Sequence, residues 1–106
     1  MTTGLAIDVV TPPGLHVRCT DASWLHISTV KHPVLAGRRA DVAQVLADPD
    51  EIRVSRKDPD VLLFYRGQPP RWLCAVIKCD GDSGFLITAY PTDAVKAGER
   101  RWTRSV

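Results

Sequence analysis

The sequence has few of the features that mark secreted, disulfide-bonded or membrane proteins. Its 106 residues contain three cysteines, an odd number without a Cys-x-x-Cys pair, which argues against a disulfide framework and against the usual zinc sites. No apolar run approaches the roughly 20 residues that span a bilayer. The first residues lack a cationic segment followed by an apolar core. We therefore expect a cytoplasmic protein with no membrane association, no metal and no cofactor.

Net charge is also low, because the chain carries a formal charge of only +2. Its distribution is uneven. Residues 1–51 hold four basic and six acidic side chains, whereas residues 52–106 hold ten basic and six acidic ones. The C-terminal half therefore carries the positive field that an anionic partner would meet.

The length predicts one domain over residues 1–106, without internal repeats or linkers. Two short apolar runs flank a Thr-Pro-Pro-Gly turn and predict an N-terminal hairpin within residues 1–20. Apolar side chains at helical spacing then predict two helices within residues 21–47. The first should end near His32, because Pro33 disfavours helical geometry in the residue before it.

Four strand-like segments follow, with Pro- or Gly-containing turns between them: Ile52–Lys57, Val61–Arg66, Trp72–Cys79 and Gly84–Tyr90. Their short connections predict an antiparallel meander over residues 52–90, followed by a basic tail over residues 91–106. We therefore expect an α+β domain in which an N-terminal hairpin and two helices pack on a four-stranded antiparallel meander sheet.

The last of these strands alternates apolar and polar side chains. The alternation predicts Phe85, Ile87 and Ala89 on the face toward the helices, and Thr88 and Tyr90 on the opposite face. The open face then mixes aromatic rings with cations, as single-stranded RNA requires, since bases stack on rings and phosphates pair with Lys or Arg. A sheet face that is merely exposed to solvent carries the same residue types, so both interpretations stay open.

Five segments resemble a group of small bacterial and phage-associated proteins: WLHISTVKHP at 24–33, DPDEIRVSR at 48–56, LFYRG at 63–67, LCAVIK at 73–78 and GFLITAYPTDAVKAGERRW at 84–102. That group is placed with the barnase, EndoU, colicin and RelE-like nucleases, the BECR superfamily. The resemblance implies a barnase/RelE-like fold and a toxin-like RNA endonuclease. It also implies RNA as the substrate, and an antitoxin or immunity protein as a partner.

The cleavage that the resemblance implies needs no metal, because the ribose 2′-hydroxyl attacks the neighbouring phosphorus and leaves a 2′,3′-cyclic phosphate. It needs a proton acceptor, a proton donor and cations for the phosphorane. His32 is the candidate acid or base, and Lys31 and Arg66 are the candidate cations. Thr88 and Tyr90 would bond phosphate oxygens or position the nucleotide.

A second set of residues is expected to bind RNA, and one of them, Arg53, is the alternative to Arg66 as the cation for the phosphorane. Tyr65 would stack on a base, and the cations Arg53, Lys78, Lys96 and Arg101 would pair with phosphates. No glutamate is expected on a strand. A barnase-like pair of glutamate base and histidine acid is therefore not expected.

Two other functions fit the same residues. One is a non-catalytic module of the same fold that binds RNA. The other is a module that binds a protein, such as the neutralising or accessory member of a pair. If the protein binds RNA without cleaving it, the first function is favoured. If it forms a stable complex with another protein and has no affinity for RNA, the second is favoured.

Overall fold

The fold is described here from a computed structural model that covers residues 4–12, 14–95 and 99–103. Its strands are β1 Leu5–Thr11, β2 Leu15–Thr20, β3 Glu51–Val54, β4 Val61–Gln68, β5 Arg71–Asp80, β6 Ser83–Thr92 and β7 Glu99–Thr103. They form one sheet with the order β1-β2-β6-β5-β4-β3-β7. Neighbouring strands are antiparallel except for β2 and β6, which run parallel.

The prediction of a four-stranded antiparallel meander under two helices, with its barnase/RelE-like layout, is wrong. Strands β3 to β6 are antiparallel neighbours, but the sheet has seven strands and is mixed. The hairpin joins β6 through β2, and Glu99–Thr103, assigned by the sequence to a tail, forms β7 beside β3. An isolated hairpin is marginally stable in water, and an open sheet edge presents unpaired backbone groups. Both segments therefore gain stability by joining the sheet.

The predicted N-terminal hairpin is confirmed. Strands β1 and β2 pair antiparallel, with Val9 opposite Val17. Gly14 has a φ of 124°, and its backbone nitrogen donates a hydrogen bond to the Thr11 carbonyl at 2.6 Å. Such a positive φ favours glycine, which explains why the residue at the end of the turn is a glycine.

The first helix is short and changes its geometry. Helix α1 covers Asp21–His26 and is capped by the Thr20 hydroxyl, which accepts a hydrogen bond from the Ser23 nitrogen at 3.1 Å. It continues as a π-helical turn over Ile27–Lys31. The chain leaves helical geometry at His32, where φ is −142° and ψ is 80°. The predicted end of this helix before Pro33 is therefore confirmed.

A single 3₁₀ turn, Pro33–Leu35, leads to helix α2, which covers Arg39–Ala47. Its buried side chains are Val42, Val45 and Leu46. Among the described residues, no helix has the length and apolar character needed to cross a membrane.

The main core lies between the helices and one face of the sheet. It is formed by apolar side chains from every layer: Ile7, Val17, Cys19, Ile27, Leu35, Val42, Val45, Leu46, Ile52, Phe64, Leu73, Ala75, Ile77, Leu86 and Ala89. Burial raises the pKa of the Cys19 thiol to about 11, and the charge of Asp21 adds to this. Cys19 therefore behaves as a small apolar side chain.

A β-bulge in β6 changes which side chains enter this core. Val76 on β5 pairs with Thr88, but the next residue, Ile77, pairs with Leu86, so Ile87 has no partner on β5. Leu86 is therefore buried, at 3% exposure, and Phe85 is 53% exposed. The prediction that Phe85 and Ile87 face the helices is wrong, because one extra residue reverses the alternation on its N-terminal side.

The opposite face of the sheet has a smaller apolar cluster of its own. Its buried members are Leu63, Tyr65 and Cys74, with Val61, Trp72, Val76, Tyr90 and Val95 packed around them. Tyr65, Cys74 and Tyr90 form one row across β4, β5 and β6. Thr88 and Tyr90 thus lie away from the helix-covered face, as the sequence predicts.

The bulge makes a prediction about two adjacent residues. Leu86→Ala should lower the free energy of unfolding by about 2–5 kcal/mol, because it removes a buried side chain. Phe85→Ala should lower it by about 1 kcal/mol or less, because that ring is half exposed. Urea unfolding of the two variants measures the difference. If β6 alternated regularly without a bulge, Phe85→Ala would lower the free energy of unfolding more than Leu86→Ala.

Candidate functional site

Strand β2 covers only part of the edge of β6. Pairing between the two ends at Arg18 and Phe85, after which β2 gives way to α1. The π-helical turn lies beside the next stretch of β6, and Lys31 Nζ donates a hydrogen bond to the Ile87 carbonyl at 3.0 Å. Because Ile87 is the bulged residue, this hydrogen bond connects the helical turn to the bulge.

This attachment brings His32 to Tyr90. The centroids of the two rings are 5.6 Å apart and the ring planes are tilted by 45°. The His32 backbone is held on both sides, since its nitrogen donates to the Ile27 carbonyl at 2.8 Å and its carbonyl accepts from the Leu35 nitrogen at 2.9 Å. The half-buried imidazole has no side-chain hydrogen bond to another described residue. Both ring nitrogens are therefore available to a ligand.

Tyr90 is a proton donor rather than a base in this environment. Burial is the largest cause that raises the pKa of its phenol above the ordinary value, and its hydrogen bond with the Cys74 thiol acts in the same direction. The phenol therefore keeps its proton at neutral pH. Because a phenol has one O–H donor, Tyr90 can donate a hydrogen bond to a phosphate oxygen only by exchanging its Cys74 partner for the ligand, and it cannot remove a proton from a substrate hydroxyl.

A groove of about 410 Å³ lies on the sheet face beside Tyr90, lined by Ser55, Arg56, Lys57, Val61, Leu63, Val76, Thr88 and Tyr90. Its apolar floor comes from Leu63 and Val76. The Thr88 hydroxyl oxygen is buried and has no hydrogen-bond partner among the described residues. A buried hydroxyl without a partner costs free energy, and binding-site residues often carry such a cost.

Two cations form the rim of this groove. Arg56 and Lys57 are both exposed, and neither forms an ion pair within the described ranges. They lie in the turn between β3 and β4, so their side chains extend from the sheet surface. An anion entering the groove would meet these two positive charges.

The same turn contains an acidic residue whose charge is already matched. Asp58 accepts hydrogen bonds from Lys78 Nζ at 2.6 Å and from the Asp60 backbone nitrogen at 2.9 Å. The hydrogen bond from Lys78 is the largest cause that lowers the pKa of Asp58. The same hydrogen bond is the largest cause that raises the pKa of Lys78. The pair holds the turn against β5, and no carboxylate of the described residues pairs with Arg56 or Lys57.

Arg66, the expected phosphate-binding cation, lies elsewhere. It follows Tyr65 on β4 and therefore points to the helix-covered side of the sheet. Its Nη1 donates to the Asp48 carbonyl at 2.6 Å and to Asp48 Oδ2 at 3.1 Å. Arg66 thus ties the end of α2 to β4 and does not join the groove.

Most of the residues expected to bind RNA are engaged in the fold. Tyr65 is completely buried, so no base could stack on its ring. Arg53 pairs with Glu51 at 2.5 Å and its side chain is 18% exposed. Lys78 is held by Asp58 as described. Arg101 is exposed on β7, remote in sheet order from β6, and Lys96 lies outside the described residues.

The expectation that no glutamate lies on a strand is also corrected. Glu51 is the first residue of β3 and Glu99 the first of β7. The Glu51 carboxylate is 16% exposed and lies near Arg53 and, at 3.8 Å, Arg100. Glu51 is three strands from Tyr90, about 14 Å. Its carboxylate is held by the two arginines and does not line the groove.

The structure thus gathers four of the five expected catalytic residues around the bulge of β6: Lys31, His32, Thr88 and Tyr90. Arg66 is separate, and Arg56 and Lys57 provide the cations in its place. The sequence signal for them is the Ser-Arg-Lys tripeptide directly before the Asp-Pro-Asp turn, because a turn places long cationic side chains in water. Within the described ranges, no three His, Cys, Asp or Glu side chains gather in a way that could hold a metal ion.

The environment of Tyr90 predicts how stability depends on pH. Because its pKa is raised in the folded state, the unfolded chain releases the phenol proton first as the pH rises past about 10. The free energy of unfolding should therefore fall above that pH, and fall less steeply in Tyr90→Phe. Urea unfolding of both proteins between about pH 8 and pH 11 measures the slopes. Equal slopes in the two proteins contradict the assignment.

The chain was compared with protein families, curated proteins and solved structures, and no match was found in any of the three. The resemblance to the BECR nucleases therefore stays a prediction from the sequence. The function has to be argued from the groove itself.

Proposed function

We propose that the protein is a metal-independent RNA endonuclease whose site is the groove beside β6. One observation carries the proposal: His32 lies against Tyr90, which lines a groove together with Thr88, Arg56 and Lys57. Among the described residues, the Thr88 hydroxyl has no hydrogen-bond partner and the two cations form no ion pair. These groups match the needs of a phosphodiester: a histidine for proton transfer, hydroxyl donors for oxygens and cations for charge.

In this proposal His32 acts on the ribose. Its imidazole takes the proton of the 2′-hydroxyl while that oxygen bonds to phosphorus, and the bond from phosphorus to the 5′-oxygen breaks. The departing oxygen takes a proton from water, leaving a 2′,3′-cyclic phosphate and a 5′-hydroxyl. Histidine suits this step because it exchanges a proton near neutral pH.

The other residues would stabilise the phosphorane. Thr88 and Tyr90 donate hydrogen bonds to its non-bridging oxygens, and Arg56 and Lys57 supply positive charge. The apolar floor of Leu63 and Val76 would receive the edge of a base. Lys31 acts as a positioning residue, because its hydrogen bond to Ile87 holds the helical turn that carries His32.

RNA binding without cleavage is the second candidate, and the chemistry of Tyr90 favours it. Because the phenol keeps its proton, His32 is the one remaining candidate for proton transfer among the side chains described beside the groove. A site with one such group is weaker as a catalyst than a site with an acid and a base. The groove would then serve only to bind the strand.

The resemblance adds proposals about context. A toxin-like nuclease acting on cellular RNA would work in the cytoplasm and need an antitoxin or immunity protein to neutralise it. Such a partner would cover the cationic rim formed by Arg56 and Lys57.

The test is cleavage of a labelled single-stranded RNA by purified protein in the presence of EDTA, with detection of the 2′,3′-cyclic phosphate. We expect His32→Ala to lower kcat by about 10²- to 10⁴-fold. Thr88→Val should lower it by about 10- to 100-fold through loss of a hydrogen bond to a charged group. The valine should not lower the free energy of unfolding, because the hydroxyl that it removes is buried without a partner.

The rim is tested with a matched pair of arginines. Arg56→Ala should lower kcat/KM, whereas Arg71→Ala should not, because Arg71 pairs with Asp93 at 2.9 Å outside the groove. Intact RNA after incubation with an equimolar amount of folded wild-type protein excludes the nuclease. Salt-dependent binding of that intact RNA establishes the second candidate.

A further inference from the structure

Phe85 is an unusual residue to find on the open face of the sheet. It is the one aromatic residue among the large apolar side chains that are exposed in the described part of the chain. It lies in the interior of the sheet, with Arg18 of β2 on one side and Lys78 of β5 on the other. The bulge at Ile87 is what turns this ring away from the core.

We propose that Phe85 forms a second base-binding subsite, on which a neighbouring base of the same single-stranded RNA stacks while Arg18 binds its phosphate. This inference rests on RNA as the ligand of the groove under the proposed function. It makes the substrate a strand of several nucleotides rather than a single phosphodiester.

The surface around the ring has room for a ligand. Phe85 separates two depressions, one of about 290 Å³ that Arg18 and Leu5 also line, and one of about 410 Å³ that reaches His26 and Lys31. The larger lies within the size range of small-molecule sites, about 300–1,000 Å³. The ring therefore borders open space at two depressions.

The charge beside Phe85 is positive and available. Arg18 Nη2 donates to His16 Nδ1 at 3.2 Å, and the other nitrogen of His16 bonds to Asp8. Among the described residues no carboxylate forms an ion pair with Arg18, because Asp8 is taken by the histidine. Lys78 is paired with Asp58, so Arg18 is the cation that can meet a phosphate here.

Phe85 is also continuous with the groove. It lies three residues before Thr88 on the same face of β6, about 10 Å away along the strand. An RNA strand that lies along β6 would pass from Thr88 and Tyr90 to Phe85 without crossing another element. An aromatic ring beside an arginine is the arrangement by which proteins hold unpaired bases.

The experiment measures binding of labelled 2′-O-methyl RNA by fluorescence anisotropy, because this RNA cannot be cleaved through a 2′-hydroxyl. A hexanucleotide and a dinucleotide are compared on wild type, Phe85→Ala, Phe85→Trp and the control Val10→Ala. Val10 is a similarly exposed apolar residue, on the edge strand β1. The ratio of hexanucleotide to dinucleotide affinity should fall about 5- to 150-fold in Phe85→Ala. Phe85→Trp should restore it, and Val10→Ala should keep the wild-type ratio.

The outcomes separate this inference from the proposed function. An unchanged ratio in Phe85→Ala overturns the subsite. Loss of a co-purifying protein in Phe85→Ala, with RNA binding unchanged, also overturns it. Wild-type protein that binds the hexanucleotide but never cleaves unmodified RNA removes the endonuclease and leaves the subsite standing. Absence of any RNA binding by wild type overturns both.

Discussion

Strand β2 and the π-helical turn lie one after the other along the same edge of β6. The change from β2 to the helical turn after Phe85 determines where the groove residues lie. Strand β2 pairs with β6 up to Phe85, and the π-helical turn then takes its place through Lys31 and the Ile87 carbonyl. The bulge supplies that carbonyl, because Ile87 has no partner on β5. His32, the next residue after Lys31, therefore lies against Tyr90. The site depends on one irregular residue in an otherwise regular strand.

Some basic residues on the sheet are matched by carboxylates and others are not. Arg53 pairs with Glu51 and Lys78 with Asp58, whereas Arg18 on β2 has no carboxylate partner among the described residues. In the described part of the chain, the cations Arg56 and Lys57 of the turn before β4 also form no ion pair. A charge at a sheet surface costs less free energy when it is paired, whereas a turn keeps its side chains in water. Net charge by halves of the chain therefore locates the basic region but not the residues that can bind an anion.

Local features of the fold could be predicted from the sequence, and long-range ones could not. The hairpin turn at Gly14 and the helix end before Pro33 follow from backbone preferences of single residues. The parallel pairing of β2 with β6 and the addition of β7 depend on which open edge is near in space. The bulge at Ile87 adds one residue to an alternating pattern without a Gly or Pro to mark it. His32 and Tyr90 lie together and Tyr90 lines the groove with Thr88, whereas Arg66 points to the helix-covered side, because the face of a strand residue depends on register and not on residue type.

The sheet keeps two apolar clusters apart, one under the helices and one beneath the groove. The large cluster holds most of the buried side chains and therefore most of the hydrophobic stabilisation. The groove rim consists of exposed side chains in a surface turn. Substitutions at Arg56 or Lys57 would thus carry little thermodynamic penalty. In evolutionary terms, this chain can change the charge around the groove almost independently of its foldability.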